Sequence, residues 1–252
     1  QLGSIFDDQL NVFEQDTKQT ISSHFTIHDN TISFSCNQKV HQEAIVIDPL
    51  LYSTLLGGPG YEQTDNSTID DYGNVYLVGD TFSAVIPMTR TKNGSEIVPG
   101  YDQTVANDDA FIYKLNATGT ELLYATYLGG DSYDYGNDIL VDSNGNAFIC
   151  GDTYANDFPM TRTPEGLEPI PGYQKTHYGM DYNYDVYLVK LNPIGNELLY
   201  ASYFGGMYDE YSSCLAMDSN GYIYIGGSTT SYDFPMFTTY GGGTLAPGYD
   251  KD

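Results

Sequence analysis

The chain has 252 residues, and 9 Lys and Arg side chains stand against 34 Asp and Glu side chains, which gives a formal net charge of −25. A chain this acidic repels phosphate backbones and anionic lipid headgroups, so we expect no nucleic acid as a partner and cations as the natural small ligands. Hydrophobic residues make up 40% of the chain, which is typical of a folded protein. The apolar stretches stay below the about 18 residues of a membrane-spanning helix, so no membrane span is expected.

Residues 1–42 precede a series of repeats, and one hairpin is predicted within them. The chain begins with Gln1 rather than Met, which indicates a processed chain whose targeting segment is gone. Apolar residues alternate on both sides of Asp29 and Asn30, the pattern of two antiparallel strands joined by a turn. The alternating residues are Phe25, Ile27, Ile32 and Phe34. We therefore interpret residues 1–42 as an N-terminal β extension or the end of a preceding β domain.

A nine-residue string occurs three times in the rest of the chain. LLYSTLLGG at 50–58 returns as LLYATYLGG at 122–130 and as LLYASYFGG at 198–206, with the Gly pairs 72 and 76 residues apart. A D-x-x-G turn, a Pro-Met pair and a PGY string recur with the same spacing. Self-similarity at a fixed period indicates a repeat architecture.

We divide residues 43–252 into three repeat units on this basis. Their approximate bounds are 43–98, 99–170 and 171–246, with the start of a further unit at 247–252. Each unit contains β-branched or aromatic segments such as VYLVG, AFICG and IYIGG, and none shows sustained helical periodicity. FIYKLN and YLVKLN lead through turns into the LLY strand, which predicts a hairpin. The sequence therefore predicts an all-β fold, a β-propeller-like array of three four-stranded antiparallel blades.

The recurring strings resemble the SBBP repeat of exported bacterial and archaeal surface proteins, a family named for a seven-bladed β-propeller. The resemblance is carried by KLN-x-x-G-x-E-LLY, by the Y-x-GG that follows, and by the D-x-x-G-N and FPM strings. It extends over roughly residues 43–252. The resemblance implies a β-propeller fold, export and a non-catalytic role at a surface, and it implies no enzyme activity.

Two features depart from a closed propeller. Three units are too few for a ring, which usually has about 4 to 8 blades, and the first unit has AIVID at 44–48 where the others have a KLN strand. The ends would then expose unpaired strand edges, and such edges seek partners. Long inserts at 89–101 and 161–173 follow the Pro-Met pair, and we expect them to be mobile loops or contact surfaces.

Acidic residues cluster in the segment after each Gly pair, and calcium is the cofactor that they indicate. Carboxylates in one cluster repel each other unless they are solvated or bridged by a cation. The candidate metal ligands are Glu62, Asp65, Asp131, Asp134, Asp138, Asp209 and Glu210. The alternative is a solvated acidic surface, which is common in soluble proteins.

The aspartates that open the D-x-x-G turns have a structural interpretation. Asp70, Asp142 and Asp218 echo a calcium-binding loop, but the Gly is not at the EF-hand position. An Asp that accepts backbone N–H bonds within a turn explains all three. His24 and His28 would share one strand face, and without a third ligand nearby we interpret them as surface residues and not as a zinc site.

Three cysteines allow at most one disulfide bridge, for which the candidates are Cys150 and Cys214, with Cys36 left over. The alternative is that Cys150 is a buried small apolar residue, since Val78 and Gly226 share its repeat column. Three Asn-x-Ser/Thr sequons predict N-glycosylation in an extracellular setting. They lie at Asn66, Asn93 and Asn116.

Tyrosine is the unusual residue of the composition, with 25 copies. In the loop strings YDYGND, MYDEYSS and HYGMDYNYDVY it is mixed with Asp and Asn. That mixture suits sugar stacking or a polar protein interface as well as it suits simple surface packing. The strand tyrosines Tyr76, Tyr124 and Tyr200 are expected in the core or between blades.

These features lead to a functional expectation. We expect a non-catalytic, secreted or cell-surface structural protein that associates with copies of itself into a filament or surface layer, using unpaired blade edges and the N-terminal hairpin. The alternative is a monomeric adhesin or glycan-binding propeller. A polysaccharide hydrolase or lyase ranks third, because paired carboxylates abound. The sequence contains no nucleophile elbow, phosphate-binding glycine loop or evident Cys–His pair.

Overall fold

In a computed structural model, the chain forms two compact units, residues 1–54 and 55–252. The structure describes residues 11–14, 23–28, 31–36, 45–48, 54–164, 166, 168–178 and 183–236, with side chains from residue 54 onward. Every regular element within these residues is a β-strand, so the predicted all-β class is confirmed. These residues contain no helix that is long and apolar enough to cross a membrane.

The N-terminal unit contains four short strands in two antiparallel pairs. They are β1 (Asn11–Glu14), β2 (Ser23–His28), β3 (Thr31–Cys36) and β4 (Ile45–Asp48). β2 pairs with β3 so that Phe25 is opposite Phe34 and Ile27 is opposite Ile32, which confirms the predicted hairpin. β4 is the IVID segment that we assigned to the first repeat unit. It pairs with β1 and therefore belongs to the N-terminal unit.

The second unit contains two four-stranded antiparallel sheets, each with its strands in chain order. The first sheet comprises β5 (Glu62–Ile69), β6 (Val75–Thr81), β7 (Asp109–Leu115) and β8 (Leu122–Leu128). The second comprises β9 (Asp134–Val141), β10 (Ala147–Thr153), β11 (Asp185–Leu191) and β12 (Leu198–Phe204). A third sheet has two strands within the described residues, β13 (Glu210–Met217) and β14 (Ile223–Thr229). The four-stranded antiparallel blade is thus confirmed for two sheets.

The three sheets stack on one another, with their first strands as neighbours. β9 contacts β5 and β6 of the first sheet, and β13 contacts β9 and β10 of the second. Alternate side chains of each strand point to opposite faces, so the apolar residues that face one another between the sheets form the core. Between the first two sheets this core includes Tyr76, Val78, Ile112, Ile139, Ile149, Tyr187 and Val189.

Each complete sheet takes its strands from two neighbouring repeat units. β5 and β6 lie in the unit at 43–98, whereas β7 and β8 lie in the unit at 99–170. The second sheet divides in the same way between the units at 99–170 and 171–246. The LLY string that we placed after the KLN strand within a unit is the outermost strand of each complete sheet, and each new sheet begins after a Gly pair.

The two long inserts lie along the outermost strands of their sheets. The backbone amides of Leu122, Ala125 and Tyr127 in β8 donate hydrogen bonds to carbonyl groups within residues 90–102. β12 donates equivalent hydrogen bonds to residues 162–174. We expected mobile loops or contact surfaces here. The inserts instead pair with the sheet edge, because the outward-facing amides of an edge strand need acceptors.

Candidate functional site

The first residue of each innermost strand is an acid that holds a neighbouring loop. Asp134 Oδ2 accepts a hydrogen bond from the backbone amide of Gly130 at 2.7 Å. Glu210 Oε2 accepts the equivalent bond from Gly206 at 2.9 Å. Glu62, at the same repeat position, accepts a bond at 3.2 Å from the threonine that ends the next strand. Asp134 and Glu210 therefore have a structural role at the Gly pairs, and Glu62 has one at the end of β6.

Asp138 joins the innermost strands of all three sheets. Its Oδ1 accepts a hydrogen bond from Asn66 Nδ2 in β5 at 2.6 Å. Its Oδ2 accepts one from the backbone amide of Leu215 in β13, also at 2.6 Å. The residue is 7% exposed, so these bonds satisfy a carboxylate that has lost most of its contact with water.

The remaining candidate ligands are on separate parts of the surface. Asp65 accepts a hydrogen bond from Gln63, and Asp209 accepts one from the backbone amide of Tyr184. Asp131 is exposed on its Gly-pair loop. Within the described residues, no three His, Cys, Asp or Glu side chains are grouped so that they could hold one metal ion. Calcium binding stays a prediction, which melting curves recorded with calcium and with EDTA would test.

The aspartates of the D-x-x-G turns have the structural role predicted for them. Asp142 Oδ1 accepts hydrogen bonds from the backbone amides of Asn144 and Asn146, both at 2.9 Å. Asp70 and Asp218 form the same pair of bonds in their own turns. Burial raises the pKa of Asp142, but the hydrogen bonds from Asn146 and Lys190 outweigh burial and leave that pKa below its usual value.

The three sequons have different surroundings. Asn116 Oδ1 accepts backbone amide bonds that shape the turn between β7 and β8. Asn66 uses the nitrogen that a glycan would modify in its bond to Asp138. Asn93 is exposed in a turn of the first insert. Glycosylation at the three sites stays a prediction, and the intact mass of native material would test it.

The two cysteines of the predicted bridge are free thiols in the structure, so the predicted disulfide is not formed there. Cys150 is fully buried in β10, as expected for a small apolar residue, whereas Cys214 in β13 is exposed. Burial raises the pKa of the Cys150 thiol to about 12, which makes it unreactive at neutral pH. The side chains of Cys36, His24 and His28 lie outside the described residues.

Five tyrosines pack together at one end of the second sheet. Three of them lie in loops, whereas Tyr135 lies in β9 and Tyr211 in β13. The ring centroid of Tyr184 is 4.7 Å from that of Tyr154, 5.9 Å from that of Tyr135 and 5.7 Å from that of Tyr211. Tyr133 contacts Tyr154 at 6.5 Å. We call this group the tyrosine cluster. Its rings are partly exposed, so it combines ring-on-ring packing with an aromatic surface.

Two of the three strand tyrosines lie where the sequence predicted them. Tyr76 and Tyr124 are buried and meet edge to face, with ring centroids 6.2 Å apart. Tyr200 is partly exposed, because its side chain lines a cleft beside the third sheet.

The third strand of each complete sheet begins with a buried aspartate that we did not predict from the sequence. Asp109 of β7 and Asp185 of β11 are 2% and 0% exposed, and burial raises the pKa of each to about 7. Within the part of the chain that the structure describes, Oδ1 of each has no hydrogen-bond partner. The recurrence of Asp in DAFIYKL and DVYLVKL, 76 residues apart, was the signal that could have found them.

A cleft lies beside β14 in the third sheet. β14 pairs with β13, and among the described residues its other edge has no strand partner, whereas β6 and β10 each have two. The cleft next to this edge has a volume of about 680 Å³. Its apolar lining includes Phe148, Leu188, Tyr200, Phe204, Ile223 and Ile225. Between the first and second sheets, the equivalent space is filled by side chains of β11 and β12.

Comparison with known protein families gives two matches in the chain. The model of a family described as SBBP, a beta-propeller repeat, matches residues 123–159 and 200–235. Each matched segment runs from the outermost strand of one sheet through the first two strands of the next. No curated protein matches the chain.

Proposed function

The chain carries repeats of the SBBP beta-propeller family, and from this premise we propose that it is a non-catalytic, secreted or cell-surface structural protein that associates with copies of itself through the edge of β14. The observation that carries the proposal is the combination of that edge with the apolar cleft beside it. An incoming strand would pair with the backbone of β14 while its side chains fill the cleft. Strand addition to an exposed sheet edge is a common mode of protein association.

The edges of the two complete sheets support the choice of β14 as the contact surface. β8 and β12 are edge strands too, and each is covered by an insert from its own sheet. Proteins commonly cover or shorten edges that would otherwise pair with other chains. β14 has no such cover within the described residues, so it is the edge at which a second chain would meet the least competition.

The geometry of such a contact favours extended assemblies. The surface that accepts a strand differs from the surface that supplies one, so the contact is heterologous. A heterologous contact that does not close into a ring propagates into a filament or a layer. The acidic net charge opposes unspecific clustering, which leaves specific strand pairing as the means of association.

Light scattering and electron microscopy of the full chain test the proposal, with Ile225→Asp as the test variant. Ile225 lines the cleft from β14, so a carboxylate there should prevent an apolar strand from entering. We expect assemblies of the unmodified chain and monomers of the variant at equal concentration. Ile69→Asp is the matched control, because Ile69 is an exposed strand residue at the far end of the array.

Two results would contradict the proposal. One is an unmodified chain that stays monomeric at all accessible concentrations. The other is an Ile225→Asp variant that assembles like the unmodified chain while its melting curve shows that it is folded.

The tyrosine cluster favours a second candidate function, glycan binding by a monomeric adhesin. Partly exposed aromatic rings beside Asp and Asn side chains provide stacking surfaces and hydrogen-bond partners for a sugar. Titration of the chain with soluble polysaccharides, followed by tyrosine fluorescence, tests this function. We would expect Tyr184→Ala to abolish binding, because Tyr184 contacts three of the other four rings.

A further inference from the structure

A second cleft, with a volume of about 420 Å³, lies where the segment between the first insert and β7 meets loops of the second sheet. Its walls come from residues 101–106, from the Gly pair before β9 and from the loop that follows β10. These segments connect strands of the two complete sheets. The lining contains four aspartates, and we call this feature the acidic cleft. They are Asp102, Asp109, Asp131 and Asp157.

Asp109 is the most buried of these four residues, and one of its oxygens is unsatisfied. The residue is 2% exposed, and its Oδ2 accepts a hydrogen bond from the backbone amide of Ala106 at 3.2 Å. Its Oδ1 has no partner within the described residues, which is costly for a buried carboxylate oxygen. Gly129 also lines the cleft, and a Cβ there would lie 2.5 Å from this Oδ1. The acidic cleft thus contains a buried acceptor that lacks a donor.

The other aspartates of the lining add negative charge that no cation of the chain balances. Among the described residues, none of the four forms an ion pair. Asp102 Oδ1 accepts hydrogen bonds from the amide and the hydroxyl of Thr104, at 2.8 and 2.7 Å. Burial raises the pKa of Asp109 to about 7, and the charge of Asp102 acts in the same direction. A positively charged ligand would offset both effects.

In the second sheet, a basic side chain of the chain itself lies beside the equivalent oxygen. Asp185 has the repeat position of Asp109, and its Oδ2 accepts the equivalent backbone hydrogen bond, from Tyr178 at 3.1 Å. Its Oδ1 lies 3.9 Å from Nε2 of His177, which makes an ion pair when the imidazole is protonated. The residue before Ala106 in the first sheet is Val105, which has no basic group. The place of the imidazole is therefore open to a cation from outside.

The second sheet also has fewer acids at this position. The backbone amides of Asp102 and Gln174 donate equivalent hydrogen bonds to hydroxyl groups of the outermost strands, so these two residues share a repeat position. Asp131 and Met207 share another, since the amide of each donates to the aspartate after the second strand. Two acids of the acidic cleft are thus a glutamine and a methionine in the second sheet.

We propose that the acidic cleft binds the ammonium group of an aliphatic amine. The ammonium donates a hydrogen bond to Asp109 Oδ1, and the carboxylates of Asp102 and Asp157 add attraction between opposite charges. The alkyl chain of the ligand packs on Pro159 and Met160, which also line the cleft. A free amine and the lysine side chain of a peptide present this same group. The inference does not depend on the strand addition proposed above.

The lining favours an ammonium group over other ligand classes. Four carboxylates repel an anion, whereas an alkylammonium group has three hydrogen-bond donors and no acceptor. In the part of the chain that the structure describes, no three acidic, His or Cys side chains are grouped around a position for a metal ion. Tyr101 is the aromatic residue of the lining, and at 4% exposure its ring provides little surface on which a sugar could stack.

Isothermal titration calorimetry of the full chain with n-pentylamine tests the inference. We expect one binding site per chain, because the equivalent position in the second sheet has its own basic side chain. We expect no binding of 1-pentanol, which has the same alkyl chain without the charge. The second probe is Nα-acetyl-lysine N-methylamide. Binding of both amines would show that the cleft accepts a lysine side chain, and binding of n-pentylamine alone would show that it accepts free amines.

Variants locate the site. Asp109→Asn keeps an acceptor for the Ala106 amide but loses the charge, and we expect it to weaken n-pentylamine binding about tenfold. Asp102→Gln combined with Asp131→Met installs the residues of the second sheet and should weaken binding about fivefold. Asp71→Asn is the matched control, because it removes an equal charge from an exposed position outside the cleft. We expect this control to bind like the unmodified chain.

Four results would overturn the inference. The first is that neither amine binds, and the second is that 1-pentanol binds as tightly as n-pentylamine. The third is an Asp109→Asn variant that binds n-pentylamine like the unmodified chain while its melting curve shows that it is folded. The fourth is that Asp71→Asn weakens binding as much as Asp109→Asn does, which would indicate attraction to the acidic surface as a whole. Assembly of the chain is measured separately, so each of these results leaves the proposed function standing.

Discussion

The second and third sheets contain the same sequence signals but differ in how much of each strand is buried. Ile149 of β10 and Ile225 of β14 share a repeat column, and Ile149 is fully buried whereas Ile225 is partly exposed. Tyr224 shares another column with Tyr76 of the first sheet, and these two side chains are 56% and 0% exposed. The difference shows that a second strand of a blade owes its burial to the strands that follow it, and not to its own sequence.

The largest expected effect on stability comes from truncating the isoleucine that the second and third sheets share in one repeat column, Ile149 or Ile225. Ile149→Ala removes a fully packed side chain and should lower the free energy of unfolding by about 2–5 kcal/mol. Ile225→Ala should cost less than half as much, because its side chain already borders the open cleft. Denaturant unfolding of both variants measures the two losses. Equal losses would show that the third sheet is as tightly packed as the second.

The stability of the chain should depend on pH because of two buried aspartates in the complete sheets. Asp109 and Asp185 have pKa values of about 7 in the fold, because they are buried, against about 3.8 for an exposed aspartate. Between these values the folded chain holds more protons than the unfolded chain, so stability falls as the pH rises from about 4 to 7. We expect a melting temperature several degrees higher at pH 5 than at pH 8.

The control for this pH dependence is Asp185→Asn. The amide cannot ionise, so the variant should melt at a temperature that depends less on pH than that of the unmodified chain. A melting temperature that increases from pH 5 to pH 8 in the unmodified chain would contradict the assignment.

A moderate effect on the free energy of unfolding is expected from Asp138, whose hydrogen bonds join the second sheet to its two neighbours. Asp138→Ala removes the acceptor for Asn66 and for the amide of Leu215, so two partly buried hydrogen bonds between sheets are lost. We expect a loss of about 1–3 kcal/mol and faster amide hydrogen exchange in β13. Asp131→Ala is the control, because that side chain is exposed. Unchanged exchange in β13 would show that Asp138 does not hold the third sheet.

The smallest effect on the melting temperature should distinguish the turn aspartates Asp142 and Asp218. Asp142→Asn loses the ion pair with Lys190, which at this exposure is worth about 0.5 kcal/mol. Asp218→Asn should leave the melting temperature of the chain alone unchanged, since its carboxylate has no ion pair among the described residues. Differential scanning calorimetry of both variants tests this pair, and a larger shift for Asp218→Asn would reverse the comparison.

Local signals in the sequence predicted local structure well. The D-x-x-G turns, the KLN-to-LLY hairpins and the hairpin around residues 29–30 all form where expected, because each depends on neighbouring residues and turn chemistry. The bonds of Asp70, Asp142 and Asp218 were predicted for the same reason.

Features that depend on distant contacts were not predicted. The repeated string marks the period of the chain but not which strand is innermost, so the sheets were assigned to the wrong phase of the repeat. The inserts gave no strand pattern, although their carbonyl groups are what β8 and β12 need. Asp109 and Asp185 resemble surface residues in sequence, and only the stacking of sheets buries them.

The division of each complete sheet between two repeat units has a consequence for how such arrays change in length. Because the last two strands of a sheet come from the next unit, duplication of any one unit adds a whole sheet whose four strands are all supplied. The sheets at both ends then keep their original composition. An array of this kind can lengthen during evolution by tandem duplication while the surfaces through which it meets other molecules stay the same.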